Sequence, residues 1–429
     1  MSARRWRWAA VGAVALVAVL AAAVLALNRL DEAPLDAPPP LDAPPPAGAA
    51  DAATVARGAY LARAGNCAAC HTARGGPAYA GGRGIDTPFG TVYASNLTPD
   101  RETGLGDWSA EAFWRAMHNG RAKDGRLLYP AFPYPSYTRV SREDADAIYA
   151  YLRSLAPVRQ PNRPHALRFP YDSQAALAVW RALFFRPGRF EPEAGRSAAW
   201  NRGSYLVRGL GHCEACHAER NWLGATAGGL ELGGGLIPMQ GWYAPSLAAP
   251  HEAGVQDWPE DEIVALLGGG VAPRGSVMGP MSEVVFRSTQ HLSRADLQAM
   301  AVFLKSLPRM PARAPAAPAP DGATMRRGEE VYRDHCSACH GERGEGAGGL
   351  YPPLAGNRAV ALARPNNVVK AIFHGGFAPA TAANPRPFGM PPFAQVLSDA
   401  EVAAVSTYIR NAWGAAAPAV TALDVLNAR

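Results

Sequence analysis

Six cysteines constrain this chain more than any other residues, because all six fall into one pattern. They read Cys67-Ala-Ala-Cys70-His71, Cys213-Glu-Ala-Cys216-His217 and Cys336-Ser-Ala-Cys339-His340. With 6 Cys and 10 His in 429 residues, a given cysteine starts such a pattern by chance about once in 3,000. Two thiols at this spacing, followed at once by an imidazole, suit covalent heme attachment. The thiols add across two vinyl groups of one porphyrin, and the imidazole then sits beneath the iron. The spacing therefore predicts three covalently bound c-type hemes, with His71, His217 and His340 as proximal iron ligands. A zinc site would need the pairs to combine into four-ligand sets, and three Cys-Cys-His sets do not partition in that way. A redox dithiol needs neither the histidine nor three copies.

The first cysteines of the motifs lie 146 and 123 residues apart. These are domain-sized intervals rather than solenoid repeats. Hydrophobic residues make up 48% of the chain and charged residues 18%, enough for packed cores. The net charge of +6 comes without a Lys/Arg block or a nucleic-acid motif, so no nucleic-acid partner is expected. Three hemes would add about six propionate charges, roughly the size of the excess.

Trp8 to Leu27 is an uncharged run of twenty residues, long enough to span a bilayer as a helix. Arg4, Arg5 and Arg7 precede it, and Asp31 and Glu32 follow. That bias places the N-terminus in the cytoplasm and the rest outside. A cleaved signal peptide, with sites near Ala21–Ala23, is the alternative, but the run exceeds the usual signal length. Either reading exports the body of the chain. Covalent heme attachment points the same way, to the periplasmic face of a bacterial inner membrane. Residues 33–50 repeat Leu-Asp-Ala-Pro-Pro-Pro and read as an extended tether.

Other features recur with the heme motifs. Arg57-Gly58, Arg202-Gly203 and Arg327-Gly328 precede the first cysteines by ten, eleven and nine residues, counted from the Arg. Ser141-Arg-Glu-Asp144, Ser293-Arg-Ala-Asp296 and Ser398-Asp-Ala-Glu401 resemble helix capping boxes, strictly so only for the last. Aromatics in the helices that follow should pack on the first helix of the same repeat. Tyr93–Trp108 and Tyr243–Trp258 align without gaps and share seven of sixteen residues. Trp108 and Trp258 suit either donation to heme propionates or a core position. The segments expected are an anchor or signal (1–30), a Pro-rich tether (31–52), and three heme domains at 53–157, 196–309 and 320–414. A linker with an apolar helix (158–195), a Pro/Ala linker (310–319) and a C-terminal tail (415–429) complete the chain. The apolar helix, Ser173–Phe185, suits docking between domains, a partner protein or the membrane.

With these motifs in place the chain resembles the triheme cytochrome c subunit of bacterial membrane-bound dehydrogenases. The resemblance covers about 53–414. Beyond the heme motifs it rests on Asn96-Leu-Thr-Pro-Asp100 with Gly104–Trp108, Leu128-Tyr-Pro-Ala131, Gly241-Trp-Tyr-Ala-Pro245 and Gly279-Pro-Met281-Ser-Glu-Val284. It implies an all-α fold: three class I cytochrome c domains in tandem after an N-terminal transmembrane helix. It also implies a quinoprotein, flavoprotein or molybdenum catalytic dehydrogenase subunit as electron donor. Electrons would leave to ubiquinone or a terminal oxidase of the respiratory chain.

A low-spin carrier needs a sixth iron ligand, and a methionine thioether raises the potential relative to a second histidine. Met390, in Gly-Met-Pro-Pro, is expected in domain three. Met281 is preferred over Met278 in domain two. Domain one departs from the family pattern. Tyr129-Pro-Ala131-Phe132-Pro133 carries Phe132 where many relatives have methionine, and Phe132 cannot bind iron. Met117, His118 and His165 are weak candidates there, and an open iron is the remaining option. This aromatic also inclines the reading toward a molybdenum partner. The chain shows no dinucleotide-binding, phosphate-loop or nucleophile-elbow motif, so it is expected to be an electron-transfer subunit and not an enzyme by itself. The alternatives are a multiheme peroxidase using an open heme one, or a cytochrome subunit of a terminal oxidase.

Overall fold

The structure is a computed structural model that describes residues 3–32, 51–227, 231–310 and 318–429. The tether at 33–50 and most of the Pro/Ala linker lie outside the described residues. The chain forms two compact units: Met1–Ala59 with Cys70–Glu191, and Tyr60–Ala69 with Pro192–Arg429.

In the first unit, α1 (Ala3–Leu27) is the apolar helix, and α2 (Ala52–Ala64) runs on into the second unit. The motif helix α3 (Cys67–His71) follows, then a hairpin of β1 (Gly84–Thr87) and β2 (Gly90–Tyr93). Next come α4 (Ala110–Asn119), α5 (Tyr134–Tyr137), α6 (Arg142–Arg153), β3 (Ala166–Leu167) and α7 (Gln174–Phe184). Strand β3 pairs antiparallel with β2, Gly90 opposite Leu167. Only glycine suits position 90: its φ is 124°, and a side chain would overlap the carbonyl of Ala166.

The second unit holds α8 (Ala198–Tyr205), the β4–β5 pair (Gly235–Leu236, Tyr243–Ala244), α9 (Glu260–Gly269) and the β6–β7 pair (Val271–Ala272, Gly275–Ser276). After α10 (Pro280–Arg287) and α11 (Arg294–Lys305) come α12 (Gly322–His335), α13 (Ser337–His340) and α14 (Asn366–His374). The β8–β9 pair (Gly376–Phe377, Gly389–Met390), α15 (Asp399–Ile409) and α16 (Ala422–Ala428) complete it. The fold is mostly helical, as expected, but not wholly so. The strands lie in the loops around the heme motifs, and most have two residues, too few to leave a periodic signal.

One helix crossing occurs three times. Gly58 of α2 lies against α6, Gly203 of α8 against α11, and Gly328 of α12 against α15. A Cβ on any of them would overlap a carbonyl oxygen, that of Ala147, Ala299 or Ala404. It would also come within 2.8, 2.8 and 2.6 Å of the Cβ of Tyr151, Phe303 and Tyr408 respectively. The aromatics thus pack on the first helices, and glycine is what lets the backbones approach. The arginine before each glycine completes the crossing. Arg57 Nη2 donates to Asp144 Oδ1 at 2.6 Å, Arg202 binds both oxygens of Asp296 at 2.8 Å, and Arg327 Nη2 donates to Glu401 Oε1 at 2.6 Å. Those carboxylates sit three residues after the capping serines. Ser141, Ser293 and Ser398 each accept from the N–H of that acidic residue, and only Ser398 with Glu401 forms the full reciprocal box.

The unequal spacing to the cysteines also has a structural reason. The chain after α8 takes a π-helical turn, Leu206–Leu210, closed by Gly211 N–H to Leu206 O at 2.7 Å. A π turn absorbs an additional residue, and this repeat has the longest spacing. The segment expected as a C-terminal tail folds instead as α16. Thr421 and Asp424 cap it reciprocally, and Val425 and Ala428 are buried in the core of α12, α14 and α15.

Candidate heme-binding sites

Each motif presents its histidine in the same way. His71 Nδ1 lies 2.7 Å from Ser95 O, His217 Nδ1 2.7 Å from Pro245 O, and His340 Nδ1 3.0 Å from Pro352 O. A carbonyl only accepts, so Nδ1 carries the proton and Nε2 keeps the lone pair that a metal needs. Burial pushes all three rings below the ordinary imidazole range, against the opposing effect of the carbonyl bond. Burial therefore favours the neutral, ligating form. Ser95 and Pro245 occupy equivalent positions in the two aligned segments, so that internal repeat supplies the carbonyl that orients the ring.

In the second unit two motifs open onto one cavity of about 750 Å³. Cys213, Cys216 and His217 line it, as do Cys336, Cys339 and His340. Met278, Met281 and Met390 also reach its wall. Met281, at the start of α10, packs on the core of α8, α9 and α11. The Met278 methyl instead approaches β8, 3.9 Å from where a Gly376 side chain would begin. Met390 lies on β9 and packs on the core around α14 and α15. Hydrogen bonds join the loops flanking the cavity. Asn367 accepts from Tyr243 N–H at 2.8 Å and donates to Tyr243 O at 2.7 Å, and Arg358 Nη1 donates to Asp257 Oδ1 at 3.0 Å. Arg358 holds the Asp257 carboxyl below its ordinary range, outweighing burial.

Trp258 tests whether this cavity fits a heme. It lines the cavity and is only 9% exposed, yet its indole N–H has no partner among the described residues. A buried donor left unpaired costs about 1–3 kcal/mol. The Arg274 guanidinium, also on the wall, lies 5.7 Å from the Trp258 ring centre. A propionate is an acceptor of the kind this pair would bind. Trp258→Phe keeps the ring and deletes only the donor. A lost bond of about 1 kcal/mol corresponds to about 40 mV for one electron. Because only the part of that energy that differs between the two oxidation states moves the potential, the expected result is a midpoint potential for the second-motif heme lower by no more than that amount, at unchanged heme content. Spectroelectrochemical titration measures it, and an unchanged potential would leave the indole a packing role only.

The first motif lacks such a methionine. Phe132 packs on Tyr137, ring centres 5.4 Å apart. Met117 is buried on α4. His118, a weak candidate for iron, is fully buried with both nitrogens engaged: Nδ1 on Thr138 O at 2.7 Å and Nε2 on Asp31 Oδ2 at 2.9 Å. Both ring nitrogens are thus engaged within the protein, and the ring ties the end of the apolar helix to α4. His165 fails on its tautomer. Its Nδ1 accepts from Tyr93 N–H at 3.1 Å, so a neutral ring carries its proton on Nε2 and has no free lone pair.

Comparison with known proteins agrees with this geometry. The profile of the family described as Cytochrome c matches residues 55–156 and 325–413. The chain is 40% identical over 382 residues to the cytochrome c subunit of the alcohol dehydrogenase (quinone) of Gluconacetobacter polyoxogenes, covering 85% of this chain and 82% of that one. It is 39% identical over 384 residues to the gluconate 2-dehydrogenase cytochrome c subunit of Pantoea cypripedii, covering 85% and 87%. It is 44% identical over 363 residues to a nicotinate dehydrogenase subunit of Pseudomonas putida, covering 83% of this chain but only 30% of that longer one. From the three repeated sites and these likenesses, the chain belongs to the cytochrome c subunits of dehydrogenase complexes and is an electron-transfer rather than a catalytic member.

Proposed function

We propose that the chain holds three hemes c in three tandem cytochrome c domains. It would relay electrons from a catalytic dehydrogenase subunit to ubiquinone or another acceptor of the respiratory chain. The observation that carries this reading is the arrangement repeated at His71, His217 and His340, with Nδ1 on a carbonyl and Nε2 left to bind iron. Bound heme supplies a one-electron couple; the protein supplies the rest. The cysteine pairs fix each porphyrin, the carbonyls fix each imidazole, and the apolar walls keep water from the iron. Met281 and Met390 would supply the sixth ligands at the second and third sites. The first site has a ligand set without thioether. In this reading the two motifs that line one cavity would hold neighbouring hemes, which suits transfer between them.

Helix α1, with a candidate span at Arg4–Leu27, is long and apolar enough to cross a membrane. In this reading it anchors the chain in the inner membrane with the heme domains on the periplasmic side. The donor is a separate subunit of quinoprotein, flavoprotein or molybdenum type, with Phe132 inclining the choice to molybdenum. Purification from native membranes in mild detergent tests this. The expected result is a co-purifying catalytic subunit whose substrate reduces the hemes of this chain. Isolation of the chain alone, turning over hydrogen peroxide, would overturn it in favour of a peroxidase. Co-purifying copper with oxygen reduction would instead mark an oxidase subunit.

A further inference from the structure

Helix α7 turns its single charge inward, beside the buried Leu177 and Ala182. Its inner face buries a charge: Arg181 is 3% exposed, donates through Nε to Asn28 Oδ1 at 2.9 Å, and lies over the rings of Phe185 and Tyr134 at 4.8 and 5.1 Å. Burial pushes the Arg181 guanidinium below its ordinary range. Its outer face carries no polar residue. Ala175, Ala176, Val179, Trp180, Leu183 and Phe184 repeat at helical spacing there, with Val179 47% and Leu183 62% exposed. Phe169, just before the helix, is 85% exposed. A helix in contact with water places its charges outward and its apolar residues inward. This one turns Leu177 and Ala182 inward as usual, but its single charge is buried with them and its outer face is apolar as well, as on a helix facing lipid.

The position of α7 says which surface covers it. Asn28, the residue after α1, donates to Ala178 O at 2.9 Å, and Arg121 donates to Asn28 O at 2.9 Å. Arg121 also pairs with Glu32, and Asp31 is held by His118. The end of the apolar helix is therefore fastened to the middle of α7. Asn28 thus joins the end of the candidate membrane span to Ala178 and Arg181 of α7. Arg29 and Arg186, both exposed, stand near the margin of the apolar face, as basic side chains do at a lipid headgroup layer.

We propose that the outer face of α7 lies in the bilayer, seated in the leaflet at the C-terminal end of α1, and that the two helices hold the first unit against the membrane as one piece. This rests on the reading of α1 as a retained anchor. The test uses the full chain with its catalytic partner in vesicles of phosphatidylethanolamine and phosphatidylglycerol, doped with a phospholipid carrying a diazirine in its acyl chain. After illumination, peptide mass mapping locates the adducts. The expected result is lipid adducts on residues 169–184 as well as on α1, about tenfold above those on exposed Leu423 and Leu426 of α16. Adducts on α1 with none on 169–184 would overturn the proposal and leave the anchor standing. Cross-links from 169–184 to another polypeptide would overturn it in favour of a protein contact. Absence of adducts from α1 would remove the anchor reading, and the proposal with it.

Discussion

Deleting the attachment cysteines one motif at a time is expected to remove one heme in three from each variant, but with unequal spectroscopic consequences. Cys213→Ala with Cys216→Ala, and Cys336→Ala with Cys339→Ala, should each also lose half of the near-infrared band that reports thioether bound to ferric heme. Cys67→Ala with Cys70→Ala should lose its heme and leave that band intact, because the ligand set proposed for the first site has no thioether. Heme-to-protein ratio and near-infrared spectra read the two quantities separately. A variant that keeps the parent heme ratio would refute three-site attachment. A band that falls by a third in every variant would refute the distinct first site.

Gly203→Ala is expected to destabilise the second unit by about 3 kcal/mol or more, the upper range for forcing atoms into a packed core. The added methyl would overlap the Ala299 carbonyl and come within 2.8 Å of the Phe303 Cβ. Neither the backbone of α11 nor the root of a buried aromatic can yield cheaply. Separating α8 from α11 would also pull Arg202 from Asp296. Gly188→Ala is the control, since nothing lies within 4 Å of its added methyl. Thermal unfolding followed by heme absorbance should show a clear drop for the first and almost none for the second. Equal midpoints would mean that the crossing tolerates a side chain.

The attachment motifs and the capping serines were legible in the sequence because their chemistry is local: Cys, Cys and His within five residues, or Ser and Glu within four. Longer-range links were only half visible. Arg57-Gly58 and Ser141–Asp144 both stood out as repeats, but nothing in either says that Arg57 reaches Asp144 across 87 residues. The repetition of both motifs in all three places was the available signal. His118 misled for the same reason, since its partner Asp31 lies 87 residues away, next to the apolar helix. Met281 and Met278, three residues apart, are separated only by what each packs against. The helix α16 was missed because its short box, Thr421 to Asp424, is followed by too few apolar residues to show a period.

The single cavity shared by the second and third motifs constrains the order of biogenesis. Thioether formation needs each vinyl group brought to its thiol with room for the machinery that delivers the porphyrin. With Asn367 joined to Tyr243 and Arg358 to Asp257, the two motifs line one cavity. If both motifs carry heme as proposed, loading would precede closure, and neither domain would finish independently of its neighbour. The prosthetic groups are then part of what the two domains close upon, so a chain that fails to receive one of them is left ajar at both, open to proteolysis before it can join an electron-transfer complex.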